Sequence, residues 1–167
     1  MAQKPSKTDD FKERKVKIMD KIKYEKEESV CACAVSLNFL GDKWSLIIIR
    51  DLFRNRNTFS QFLKESAEGI ATNILVDRLK KLISNDIIGY RRNSNDKKIK
   101  EYYLTDRGVE LYPILYELQL WTIRNVDFNP SENTTKWKKF AETNTEQEVV
   151  KYYTDEYKKT RLEQFGF

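Results

Sequence analysis

"GIATNILVDRLKKLISNDIIGYRRNSNDKKIKEYYLTDRG" (Gly69–Gly108) changes its periodicity twice, and those changes decide the fold. Leu75, Leu79 and Leu82 recur at i, i+4 and i+7, the spacing of one helical face, so a helix is expected over Ala71–Asn85 with these three turned inward. Thr72, Asn73, Val76, Asp77 and Lys80 then fall on its outer side. Beyond Asn85 the pattern shortens. Ile87–Arg92 and Ile99–Leu104 read as two strands joined through Asn93, Asn95 and Asp96, residue types that turn chains. Thr105, with Asp106 behind it, caps another helix.

Working upstream, Phe59–Glu65 reads as a short helix and "SAEG", ending in Gly69, as a tight turn. Helix, tight turn, helix and hairpin make a winged helix-turn-helix. The fold class is therefore mainly α with a small β-hairpin wing (α+β), with flanking dimerisation helices. In this arrangement the second helix enters the major groove and the hairpin grips phosphate backbone.

Charge supports that use. Across Arg78–Lys100 eight basic residues face only Asp86 and Asp96, a net of +6 against +5 for the whole chain. Such focusing suits a polyanion, with nucleic acid the usual partner. Arg91, Arg92, Lys97 and Lys98 are the expected phosphate grips, with Lys43 and Arg78 flanking, although any one lysine by itself is an ordinary solvated side chain. Base edges fall to Thr72, Asn73, Val76, Asp77 and Lys80.

Enzyme chemistry finds no support. The chain has no histidine, which removes the commonest general base and any Ser-His or Cys-His pair. Its five glycines are spread singly, so no loop cradles phosphate, and Cys31 and Cys33 alone make neither a disulfide framework nor a zinc site. We expect no catalytic residue, no cofactor and no metal. Apolar runs such as Leu46–Ile49 are too short to span a bilayer, and Met1–Asp10 is polar throughout without a signal-peptide pattern. The expected location is cytoplasmic, with no membrane partner.

The flanks read as helices. Phe11, Ile18 and Ile22 place a narrow apolar stripe on a helix over Phe11–Glu28. Ser29–Leu40 is a short helix stopped at Gly41, and Asp42 caps a buried core helix over Trp44–Phe53, apolar nearly all round through Leu46, Ile47, Ile48 and Ile49. Asp106–Asn125 carries Leu111, Leu115, Leu118 and Trp121 on one side despite Gly108 and Pro113. Two stripes without an evident intramolecular partner point to a C2 homodimer. After the "NPSENTT" break, Glu146–Glu163 aligns Val149, Val150, Tyr153 and Tyr157, and this tail helix is expected to dock on the dimerisation helices. Trp44, Trp121, Phe39, Phe53 and Phe59 are expected in the core. Of Tyr102 and Tyr103, alternating on a strand, one faces inward and the other outward, where it is open to solvent or to phosphate. The organisation is thus a disordered N-terminus (1–10), an N-terminal dimerisation helix (11–28), the winged domain (29–105), a C-terminal dimerisation helix (106–128) and a helical extension (129–167).

Cys31, "LGDKWSLIIIRDL" (Leu40–Leu52), "TFSQF" (Thr58–Phe62), "GIATNILVDRLKKL" (Gly69–Leu82), "IIGYRR" (Ile87–Arg92) and "EYYLTDRG" (Glu101–Gly108) together resemble the HxlR-type winged helix-turn-helix regulators, relatives of the MarR group. The resemblance covers Cys31–Arg124. It implies a homodimer that binds double-stranded operator DNA and regulates transcription without a catalytic site. A small-molecule effector between the dimerisation helices is a further partner to consider, though no polar cluster marks a pocket. Cys31 followed by Lys43 and Trp44 matches the cysteine that some members use to sense oxidants or electrophiles, whereas its small apolar neighbours alone favour an inert, buried thiol. The chain departs from the family at Asp77 and at Asn73, where a basic residue is common. Its wing, "NSNDKK", lacks the family's frequent prolines, which predicts a more mobile tip. The rival reading is a winged-helix protein-interaction module without specific DNA binding, which Asp77 favours and the basic wing opposes.

Overall fold

The structure is a computed structural model, and it describes residues 20–25 and 29–167. Local sequence signals start its elements. Helix α1 (Ala32–Leu40) ends at Gly41, and Asp42 begins α2 (Lys43–Phe53) by accepting a hydrogen bond from the Ser45 N–H. Thr58 and Gln61 form a reciprocal capping box at the start of α3 (Phe59–Lys64). The turn that follows bends at Gly69, whose φ of +67° a side chain would strain. It delivers the chain into α4 (Thr72–Ser84).

The hairpin comes next. Strands β1 (Ile88–Arg92) and β2 (Lys100–Leu104) pair antiparallel with Ile88 opposite Leu104, Tyr90 opposite Tyr102 and Arg91 opposite Glu101. Gly89 lies under the Tyr103 ring, where an added Cβ would come within 2.4 Å of Cζ. Ile48, Ile49 and Leu52 of α2, Phe62 of α3, Leu75, Leu79 and Leu82 of α4, and Ile88 and Leu104 of the hairpin are buried together. Each such side chain is worth about 1.5–3 kcal/mol of burial. This is a winged helix-turn-helix built as the leucine spacing predicts.

Four helices follow: α5 (Asp106–Val109), α6 (Tyr112–Asn125), α7 (Glu132–Thr143) and α8 (Glu146–Phe165). Tyr112 and Tyr116 of α6, Trp137 of α7 and Val149 of α8 form a second core, joined to the first through Phe53. From there α8 runs back to the hairpin. The buried Tyr157 hydroxyl accepts from the Leu104 N–H at 2.7 Å, and Arg161 donates to the Leu104 carbonyl at 2.8 Å and to Asp106 Oδ1 at 2.6 Å. The tail helix packs on α6, one of the two helices expected to receive it, and it braces the wing as well.

Several expectations change. Residues 20–25 are not helical: Tyr24 packs on Phe39 with centroids 6.3 Å apart and accepts from Asn38 Nδ2, while Arg107 takes the Asp20 carbonyl that a helix would need. The rest of the helix expected over Phe11–Glu28, and residues 1–10, lie outside the described residues. The helix expected over Asp106–Asn125 is two, broken at Glu110 and Leu111, because Pro113 has no N–H and suits a first turn, here that of α6. Helix α7 lies within the extension expected to be helical, but it begins inside the "NPSENTT" stretch, which reads as a break. Leu46 and Ile47 are only partly buried. Trp121, expected in the core, is 61% exposed, because α6 turns it away from both clusters.

Candidate nucleic-acid interface

Thr72, Asn73, Val76, Asp77 and Lys80 are all exposed on α4 and form one stripe along the helix, since the buried leucines fix its opposite face. The stripe offers a hydroxyl, an amide, a methyl pair, a carboxylate and an ammonium, a set able to address base edges in a major groove. The carboxylate is already engaged. Asp77 pairs with Arg78 Nη1, and Arg78 Nε donates to Asp42 Oδ1 at 2.8 Å. Lys81 Nζ reaches Asp42 Oδ2 at 3.2 Å, so the residue that caps α2 also ties down α4. Burial works against the Asp42 charge, but the Ser45 hydroxyl and N–H, then Arg78 and Lys81, hold its pKa at about 2. Arg78, expected as a phosphate contact, is thus committed to this tie. Lys43 is exposed in the first turn of α2, with Nζ 4.7 Å from the Trp44 ring centroid.

In the wing the basic residues divide. Lys97 and Lys98 are exposed at the tip. Arg92 Nη1 donates to the Lys97 carbonyl at 2.7 Å, stiffening the tip. Arg91 Nε donates to Glu101 Oε2 at 3.0 Å, and its guanidinium lies over the Phe165 ring. The proline-free tip is closed by its own side chains: Asn93 Oδ1 accepts from the Asn95 and Asp96 N–H groups, and Asp96 Oδ1 from that of Lys98. Tyr103, the outward member of its pair, is half-buried between Phe165 and Phe167 at 5.0 and 4.9 Å rather than open to phosphate. Lys100, with Nζ 4.1 Å from the Tyr90 ring centroid, joins this surface without having been singled out. Its place opposite Arg92 in the hairpin register was the available signal.

Residues 39–129 match the family described as HxlR-like helix-turn-helix. The chain belongs to this family. An HTH-type transcriptional regulator of Synechocystis sp. is 31% identical over 86 residues, 52% of this chain and 63% of that protein. The HTH-type transcriptional regulator YodB of Bacillus subtilis is 30% identical over 87 residues, 52% of this chain and 76% of that protein. The chain spans little more than half the length of relatives from Mycobacterium. Among solved structures, PA1607 is 32% identical with a TM-score of 0.55, covering 63% of this chain and 71% of that one. The redox regulator HypR in its oxidized form is 25% identical with a TM-score of 0.52, covering 59% of this chain and 100% of that one.

Two features lie at the margins of the HxlR-like region. Cys31 precedes it, exposed and in extended conformation at the N-cap of α1, and it forms no disulfide. The N–H groups of Ala34 and Cys33 lower its thiol pKa. The sequence expectation of a buried thiol is therefore corrected: the apolar neighbours lie on a helix that is itself largely exposed. Helices α7 and α8 follow the HxlR-like region, yet Phe165 and Arg161 reach back to its wing.

Proposed function

We propose that this chain is a homodimeric transcriptional regulator that binds double-stranded operator DNA in a sequence-specific way. The observation that carries the reading is the exposed polar stripe of α4, followed in the chain by a hairpin tip that presents Lys97 and Lys98. Thr72, Asn73, Val76, Asp77 and Lys80 approach base edges. Lys97, Lys98 and Arg92 grip phosphate, with Lys43 at the flank, while Arg91 and Arg78 serve only after giving up their present partners. Asp77 no longer favours the protein-interaction alternative, because its charge is met by Arg78. Such a role places the protein with the DNA in the cytoplasm, and among the described residues no single helix is long and apolar enough to cross a membrane.

The dimer reading rests on Ile114, Leu118 and Trp121, spaced four and three apart on α6 and 42%, 47% and 61% exposed. An apolar stripe of that kind suits the same stripe on a second copy. Redox or electrophile response through Cys31 rests on its exposure and lowered pKa, and on the likeness to HypR.

A band-shift with DNA from upstream of the protein's own coding region, with and without diamide, tests the regulator and redox readings together. Retention of that fragment over random duplex supports sequence-specific binding, and equal retention of both removes it. If diamide changes neither affinity nor free-thiol count, Cys31 is not a sensor. Sedimentation should give a dimer for the native chain and a monomer for Trp121→Glu.

A further inference from the structure

A cavity of about 390 Å³ opens where the end of α2 meets α6, α7 and α8. We propose that it binds a small organic anion with a flat apolar body. The inference deepens the regulator reading, on which it rests for its purpose, by naming the class of effector.

Charge is the first argument. Arg50, Arg54, Arg56 and Lys136 line the cavity, and no carboxylate does. Arg50 is bound to Asp51 and Glu68, Arg56 to Asp51, and Lys136 to Glu132. The exposed Arg54 side chain makes no hydrogen bond or ion pair with any described residue; partial desolvation and then the Arg50 charge lower its pKa, against the nearby Asp51 and Glu68 carboxylates, which raise it. An exposed arginine beside two others, with carboxylates near it but none bonded to it, keeps its fork open to an anion, and that planar fork matches a carboxylate or sulfonate.

The walls define the rest of the ligand. Phe53, Tyr112, Trp137 and Tyr153 contribute aromatic surface, with Tyr112 edge-on to Phe53 at 4.9 Å and stacked on Tyr153 at 5.1 Å. The Tyr112 hydroxyl accepts from Trp137 Nε1 at 3.2 Å, which leaves its proton free to donate. A bare inorganic anion would leave this aromatic surface wet, and a neutral hydrocarbon would leave Arg54 unanswered. The volume falls within the usual range for small-molecule sites.

The site belongs to this chain's own extension. Lys136, Trp137 and Tyr153 come from α7 and α8, beyond the HxlR-like region, while Phe53 and Arg54 come from the core helix α2. Occupancy ties the two together, and α8 carries the effect to the wing through Tyr157 and Arg161.

Binding is measured on the full chain without DNA, by isothermal titration calorimetry with 1-naphthoate. 1-Naphthalenemethanol serves as the neutral ring and acetate as the ringless anion. Saturable naphthoate binding is expected, with both controls at least about tenfold weaker, the usual worth of one charge-assisted contact. Arg54→Gln should weaken naphthoate by about tenfold or more, and Lys136→Glu, at an exposed position, should weaken it with the fold intact by circular dichroism. No saturable binding, equal binding of the alcohol, or full affinity in both variants overturns the proposal. A parallel band-shift separates the readings: operator retention without naphthoate binding sinks the pocket alone, and naphthoate binding without operator retention sinks the regulator reading alone.

Discussion

The guanidinium carbon of Arg91, on the first strand of the hairpin, lies 4.4 Å from the ring centroid of Phe165, near the end of α8. A contact of this kind is worth about 0.5–1 kcal/mol at an exposed site. It competes with any phosphate for the same charge. Phe165→Ala should therefore remove one of the two holds on Arg91, leaving the Glu101 ion pair, tighten duplex DNA binding modestly, and steepen the slope of log K against log[salt] by up to about one unit where a phosphate displaces Glu101. Fluorescence anisotropy across a salt series reads both quantities. A fall in affinity would show instead that α8 is needed to hold the wing in its binding pose.

Lys97 and Lys98 are exposed at the wing tip, where they meet DNA without giving up a partner among the described residues. The Lys97→Ala, Lys98→Ala double variant should weaken binding to all sequences alike and make the salt slope shallower by roughly one to two units per engaged wing. An unchanged slope would remove the wing tip from the interface.

Asp77 is paired with Arg78 yet its side chain stays two-thirds exposed, so on the stripe that nears DNA the residual charge repels phosphate more than its one acceptor contact attracts a base. Asp77→Asn should tighten operator and random duplex by a similar factor, read in parallel titrations. Weakening confined to the operator, by about 1–3 kcal/mol with one base pair relaxed, would instead assign Asp77 to cytosine. Asn73→Ala, on the same stripe, should lose sequence preference without moving the salt slope.

Acid should loosen the attachment of α2 to its neighbours. Asp42 is held at about 2 by Ser45, Arg78 and Lys81 against its burial, and Glu68 at about 2, first by hydrogen bonding to Arg50. Both folded values lie below the unfolded ones of about 4. Protons therefore bind the unfolded chain more readily: this stability is fully present above about pH 4 and is lost as pH falls toward 2. Urea denaturation at a series of pH values should show that decline. It should be flatter in Asp42→Asn, Glu68→Gln, which starts from a lower plateau.

What the sequence made legible was local. Leu75, Leu79 and Leu82 announce α4 because helical period and burial coincide there, and Asn93 and Asp96 announce the wing because their side chains make the turn themselves. Helix α7 is not legible as an element of its own because threonines and lysines dominate it, leaving little more than Trp137, Phe140 and Ala141 as a stripe. The exposure of Trp121 is hidden for a different reason: periodicity reveals a stripe but not what covers it. At the candidate interface, the positions on α4 could be read from the helical phase. The commitments of Arg78 and Arg91 could not, since Asp42 lies 36 positions from its partner and Phe165 arrives on a helix from the far end of the chain.

The return of α8 also sets an order of assembly. Leu104 bonds to Tyr157 across 53 positions, and Asn57 Nδ2 donates to Gln164 across 107. Contacts of such span are slow to form, whereas the α3–α4 pair and the hairpin need only near neighbours. The core can therefore condense early with β2 unbraced, and the wing acquires its final rigidity only when the distant helix seats. Run in reverse, the same order predicts early loss of amide-exchange protection along the seam between β2 and α8.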